Sequence, residues 1–142
     1  MNVLVLYQSR SGNTRATAEF ITSAVRAQGH DVTIKSVIEV RQADAEGADL
    51  LFIGTWIQGF ILFGVKPAGA DLWVRALPPL DGKPVAIFCT YAFSPRSSLD
   101  KLAGMLSARG AHAIAQQAFH RRRLTEGVDA FVLKVLQAVD QS

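Results

Sequence analysis

Six consecutive residues, Ser9-Arg10-Ser11-Gly12-Asn13-Thr14, bring together three hydroxyls, a guanidinium and a glycine. These are groups that hold a phosphate. Ser9, Ser11 and Thr14 offer hydrogen-bond donors, and Gly12 lets the backbone turn tightly beside a ligand. Asn13 tolerates unusual backbone angles or caps a helix, and Arg10 is the fixed charge of the loop. A helix starting at the end of this segment adds its unpaired N–H groups and its dipole, which together favour an anion. The segment contains no G-x-G-x-x-G. Gly54 and Gly59 have the first spacing of a P-loop, but Phe60 stands where its lysine belongs.

Two further segments have residue types suited to a flat conjugated ring. Gly54-Thr55-Trp56-Ile57-Gln58-Gly59-Phe60 offers an indole for stacking and a glycine whose peptide can approach a ring edge. Cys89-Thr90-Tyr91-Ala92-Phe93-Ser94-Pro95 offers two aromatic rings, Tyr91 and Phe93, between which the sequence does not choose. Cys89 reads as a small buried residue, because a redox thiol needs an accessible, electropositive setting. His30, His112 and His120 have no metal-ligand spacing and read as surface or strand residues. No metal site and no catalytic triad or carboxylate pair is expected.

The elements that must position these segments alternate between strand and helix. Val3–Tyr7 is a short apolar run suited to a buried parallel strand. From Thr14 a helix is expected, with Thr17, Phe20, Ile21, Ala24, Val25 and Gln28 at helical spacing and Gly29 as its stop. Asp31–Val37 reads as the second strand, Glu39–Glu46 as weakly helical and Asp49–Thr55 as the third strand. Trp56 to about Lys66 reads as irregular. Pro67 is placed as the first residue of a helix carrying Leu72, Trp73, Ala76 and Leu77 on its buried stripe. Pro84–Thr90 is the fourth strand. Leu99, Leu102, Ala103 and Leu106 mark a helix ended by Gly110, and Ala111–Phe119 is the fifth strand. Val128, Phe131, Val132, Val135, Leu136 and Val139 form the apolar face of the last helix. Strands alternating with helices imply a parallel sheet covered on both faces.

Composition agrees with a globular chain. Of 142 residues, 49% are hydrophobic and 19% charged, which argues against disorder. This length suits one domain over residues 1–142, without internal repeats or linkers. One cysteine excludes an internal disulfide. The apolar region Ala48–Val65 holds Asp49, Thr55, Gln58 and glycines, and so does not read as a transmembrane span. Asn2–Tyr7 is too short for a signal peptide, so the expected location is cytoplasmic. The formal charge is +3 and the pI about 9.4, with Arg121, Arg122 and Arg123 beside His120. Such a cluster suits a solvated loop or an anionic partner; no specific nucleic acid is expected.

Ser9–Thr14 resembles the flavodoxin phosphate loop, whose pattern is Thr/Ser-x-Thr/Ser-Gly-Asn-Thr, and matches every specified position. The resemblance extends in length and element order over nearly the whole chain, without the long insertion of the last strand. It implies an α/β, three-layer flavodoxin-like fold whose five-stranded parallel sheet has order 2-1-3-4-5. It implies flavin mononucleotide (FMN) as cofactor, with Thr55 and Trp56 as the Thr-Trp pair common in the second loop and Tyr91 or Phe93 as the outer stacking ring. The cofactor set is then Ser9, Arg10, Ser11, Gly12, Asn13, Thr14, Thr55, Trp56, Ile57, Gly59, Thr90, Tyr91 and Phe93. Ligands in such sheets bind at the carboxyl ends of the strands where the order reverses, so Gln8–Thr14, Thr55–Lys66 and Tyr91–Pro95 should converge.

The implied function is electron transfer between a reductase and an acceptor. Two features depart from the family. The Tyr91 loop lacks the usual acidic residues and Gly-Asp pair, and the chain is basic where flavodoxins are acidic, so a carrier of this charge needs acidic partners. Phe60–Val65 is an apolar run that suits core packing, a dimer contact or a pocket for a quinone-like substrate. The alternatives are accordingly an FMN-dependent oxidoreductase of quinone-reductase type and a non-redox binding module of the same fold.

Overall fold

The computed structural model describes residues 1–8, 12–60, 64–67, 70–92 and 98–141, without the side chains of residues 58–60, 64–67 and 70–72. Along the chain run β1 (Asn2–Tyr7), α1 (Asn13–Ala27), β2 (Asp31–Ser36), α2 (Gln42–Gly47), β3 (Leu50–Phe60) and β4 (Gly64–Pro67). They are followed by α3 (Ala70–Ala76), β5 (Pro84–Tyr91), α4 (Ser98–Ser107), β6 (His112–His120) and α5 (Val128–Asp140). Five strands pair in parallel in the order β2-β1-β3-β5-β6. Counting these parallel strands alone, the order is 2-1-3-4-5, as the resemblance implied.

Strand alternation divides the core into two layers. Val3, Val5, Leu50, Phe52, Ala86, Phe88 and Phe119 pack with Ala18, Ile21 and Val25 of α1 and with Val128, Phe131, Val132 and Val135 of α5. Phe131 meets both Phe52 (5.8 Å, 79°) and Phe119 (5.9 Å, 71°) edge to face, the arrangement that ring quadrupoles favour. On the other face Leu4, Leu6, Leu51, Ile53, Val85, Ile87 and Cys89 pack with Trp73, Val74, Leu77, Leu99, Leu102 and Leu106. Central strands buried on both faces account for their nearly continuous apolar runs.

Several local expectations are corrected. Helix α1 begins at Asn13 rather than Thr14, and its N-cap is Gly12 at φ 90°. Phe20 is 41% exposed; the buried stripe is Thr14, Thr17, Ala18, Ile21, Thr22 and Val25, from which position 20 is rotated away. Two of the buried hydroxyls on this stripe are satisfied within the helix, Thr17 donating to the Asn13 carbonyl (3.1 Å) and Thr22 to that of Ala18 (2.8 Å). In α3, Val74 is buried and Ala76 exposed; Leu72 lies among the residues without a described side chain. The weak helix expected over Glu39–Glu46 forms as α2, from Gln42 to Gly47.

The largest difference lies after the third strand. The sequence reads as irregular from Trp56, yet β3 continues to Phe60 and pairs antiparallel with β4, from Ile57↔Pro67 to Phe60↔Gly64. The parallel ladder with β5 ends at Trp56↔Thr90, so β4 takes over as partner where β5 stops. Pro67 closes this edge pairing and does not start a helix; a residue without an N–H is tolerated on an edge strand. Of the apolar run Phe60–Val65, Ile61, Leu62 and Phe63 lie outside the described residues.

Gly54 is required by its neighbour. It lies opposite Phe88 on β5, and a Cβ there would come within 2.1 Å of the Phe88 ring. Both positions are fully buried within the sheet, so the ring has little room to yield. Gly54→Ala should destabilise the protein by about 2 kcal/mol or more, read as a lower midpoint in urea; an unchanged midpoint would show that Phe88 repacks without cost.

Candidate functional site

The carboxyl ends of β1, β3, β5 and β6 meet at one rim, and hydrogen bonds tie them side by side. Gln8, just past β1, donates its N–H to the Gly54 carbonyl at 2.9 Å. Its side-chain Oε1 accepts the Thr55 hydroxyl at 2.8 Å. Thr14, in the first turn of α1, and Thr90, near the end of β5, share a buried hydroxyl–hydroxyl hydrogen bond of 2.8 Å. Both threonines are almost fully covered, at 1% and 2% exposed. One of the two hydroxyls donates to the other, which leaves one hydroxyl proton of the pair for a further acceptor.

These ties hold the amino end of α1 against the sheet. Gly12 takes the left-handed conformation that favours glycine, and a Cβ built there would meet nothing within 4 Å. As a glycine, this N-cap has no side chain with which to cap the helix. The amino end of a helix, with its N–H groups and dipole, is the kind of place that suits an anion. Ser9, Arg10 and Ser11, expected to complete this cradle, lie outside the described residues. Asn13 is the first helical residue and not the cap.

The residues proposed for a ring divide into two groups. Trp56 and Tyr91 are half-buried at the rim, one register step apart on neighbouring strands, since Trp56 pairs with Thr90. A large aromatic left half-covered at a strand end suits a flat ligand better than a core position. The others face inward or lie farther out. Thr55 is fully buried and bonded to Gln8, and Ile57 packs against the core on the α3–α4 face. Gly59 pairs with Val65 beyond the end of the parallel ladder. Phe93 lies outside the described residues. Cys89 is fully buried, and burial pushes its thiol up to about 12, so it stays protonated and inert at neutral pH.

His120 was read from the sequence as a surface or strand residue, and the structure gives it a larger part. It ends β6 opposite Tyr91. Its ring stands edge to face on the Tyr91 ring (5.2 Å, 89°). Its Nδ1 accepts the Arg122 N–H at 3.2 Å, which leaves Nε2 to donate to the Ala92 carbonyl at 3.0 Å. The signal for it was positional only: the last residue of one parallel strand lies level with the last of its neighbour. A cavity of about 210 Å³ opens beside this pair, between Tyr91, His120, Arg123 and Gly127. A larger one, about 590 Å³, lies at the opposite end by Asn2–Leu4 and Asp31–Thr33, away from the loops that follow the strands.

Comparison with known proteins agrees with this architecture. Residues 4–117 match the model of the flavodoxin domain. A flavodoxin of Aquifex aeolicus is 32% identical over 94 residues, 65% of this chain and 49% of that protein, so the chain spans about half the length of this relative. The solution structure of two-electron reduced Megasphaera elsdenii flavodoxin superposes with a TM-score of 0.78 at 22% identity, covering 99% of both chains. The rubredoxin oxygen:oxidoreductase of Desulfovibrio gigas superposes with a TM-score of 0.75 at 14% identity, covering 99% of this chain and 36% of that one. At these identities the two structures speak for the fold alone. The family match over residues 4–117, which the sheet order agrees with, places this chain in the flavodoxin domain family.

Proposed function

We propose that this chain is an FMN-holding electron carrier, with the phosphate at the amino end of α1 and the ring between the Trp56 and Tyr91 segments. FMN is the cofactor of the flavodoxin family, and it supplies the redox chemistry when bound. The observation that carries the reading is the buried Thr14–Thr90 hydrogen bond, which joins the start of the phosphate helix to the strand that presents Tyr91. Gly12, Asn13 and Thr14 would hold the phosphate with the helix N–H groups, and Ser9, Arg10 and Ser11 complete the loop by the sequence resemblance. Trp56 and Tyr91 would cover the ring and exclude water from it. Thr55, Ile57, Gly59 and Thr90 support this site from behind or from its flank rather than as a ligand-facing surface.

The oxidoreductase alternative rests on the apolar run Phe60–Val65 as a quinone pocket, and the side chains of that run lie outside those described. A carrier needs only to bind, shield and tune its flavin, which matches a site built from hydroxyls, a glycine turn and two rings. No helix among the described residues is long and apolar enough to cross a membrane, and a cytoplasmic location fits this role. The reading takes residues 1–142 as one domain.

Purified protein mixed with FMN should show bound-flavin absorption bands; their absence would overturn the redox reading. Anaerobic NAD(P)H alone should leave the bands intact, with bleaching only when a reductase is added, whereas direct bleaching would make the protein an enzyme.

Thr14→Ala should weaken FMN about 10- to 100-fold, the worth of a hydrogen bond to a charged group, and riboflavin far less. Equal losses for the two ligands would remove Thr14 from the phosphate site. Trp56→Ala should instead weaken FMN and riboflavin alike, by about tenfold for the lost ring contact. Full retention of FMN affinity would take Trp56 out of the ring site.

A further inference from the structure

The three arginines after β6 do not sit on a loose connection. Arg121 donates its N–H to the Tyr91 carbonyl at 2.9 Å, and Arg123 donates its N–H to the His120 carbonyl at 2.8 Å. Arg122 donates to His120 Nδ1, and His120 reaches across to the Ala92 carbonyl. Further turns follow at once, with the Glu126 N–H on the Arg123 carbonyl (3.1 Å) and the Val128 N–H on that of Thr125 (3.3 Å). The backbone from His120 to the start of α5 is thus a run of hydrogen-bonded turns, fastened directly to the segment that carries Tyr91.

The side chains behave differently from the backbone. All three arginines are exposed. Arg123 forms a 3.5 Å ion pair with Glu126, itself largely exposed and so of little energetic worth. Arg121 and Arg122 form no ion pair among the described residues. A fixed backbone therefore presents a concentrated positive charge to solvent beside the ring of Tyr91. The backbone fixes where the three side chains leave the fold, and their guanidinium groups together make a local positive field able to steer an anionic partner.

Resting on the electron-carrier reading, we infer that Arg121, Arg122 and Arg123 form the docking rim for an acidic redox protein, which they seat over the Tyr91 edge of the site. The partner is a protein bearing a cluster of carboxylates around its own redox centre. The rim contributes association rate and orientation more than buried contact area, so the complex should weaken as salt screens it.

The test uses the FMN-loaded protein, with a plant-type ferredoxin as the acidic probe and cytochrome c as the basic one. Binding is followed by calorimetry at low and at physiological ionic strength. The expected result is association with ferredoxin and not with cytochrome c, falling with salt. Arg121→Glu/Arg122→Glu should weaken it about fivefold or more, and Arg121→Gln/Arg122→Gln by less. The backbone ties do not involve the substituted groups, so the variants should keep their flavin spectrum. A control with the same charge change elsewhere, Arg26→Glu/Lys134→Glu on α1 and α5, should weaken association much less.

Equal effects of the two double reversals, or no salt-dependent association, would overturn the rim. Stronger binding to a DNA duplex or to phosphatidylserine vesicles, lost in the Arg121→Glu/Arg122→Glu variant, would also overturn it, in favour of a different anionic surface. A protein that never takes up FMN fails the underlying reading instead, whereas a flavin-loaded protein indifferent to the Arg121→Glu/Arg122→Glu change fails this inference alone.

Discussion

A parallel strand that ends inside a protein leaves backbone groups pointing along the sheet with no further residue of its neighbour to receive them. At the carboxyl rim of this sheet that problem recurs on several strands at once, and the rest of the site follows from how it is solved. The chain meets it sideways. Gln8 bonds to Gly54 and Thr55, Arg121 bonds to Tyr91, and His120 reaches Ala92. Each bond spends a polar group of one connection on the neighbouring strand end. Unmade, such groups would cost about 1–3 kcal/mol apiece when buried. The amino end of α1 joins the same network through Thr14, whose hydroxyl pairs with that of Thr90.

The threonine pair shows how closely the start of α1 and the rim of the sheet are packed together. Thr14 and Thr90 come from elements far apart in the chain, and both hydroxyls are withdrawn from solvent. A buried hydroxyl without a partner is unfavourable, so each residue holds the other in place. The start of α1 cannot shift without disturbing the strand that leads to Tyr91. Gly54 adds a steric version of the same coupling, since its missing side chain makes room for Phe88 one strand away. The central strands therefore act as one rigid support for the loops at the rim.

The formal charge of +3 departs from what the resemblance implies. The flavodoxin resemblance implies an acidic chain with carboxylates in the stacking loop. Here the corresponding stretch is neutral in Tyr91 and Ala92, and the neighbouring turn carries three exposed arginines. The same rim geometry can thus present either sign of charge, because exposed charges on turns cost the fold little. Charge at such a rim bears on partner choice, and the fold does not dictate it.

Much of the architecture was legible in the residue pattern. Apolar runs of strand length, separated by helical spacing, imply a covered parallel sheet by periodicity alone. Ser9–Thr14 could be proposed as a phosphate loop for a local reason: its hydroxyls, glycine and helix start are contiguous, so the proposal needs no long-range contact. The pairing of β3 with β4 was not legible, because a strand continuing past Trp56 depends on a partner that begins at Gly64, and the segment from Trp56 to about Lys66 by itself reads as irregular. Phe20 was misplaced because one apolar residue beside a buried stripe does not reveal the angle at which the helix meets the sheet. His120, too, gained its contacts only through the register that sets β6 beside β5. The sequence by itself determined the fold class, which rests on periodicity, and from adjacent residues alone it offered Ser9–Thr14 as a candidate phosphate loop. Only the tertiary structure decided which hydroxyls pair, which rings stand half-covered at the rim and where the arginines sit, because each depends on strand pairing between residues distant in the chain.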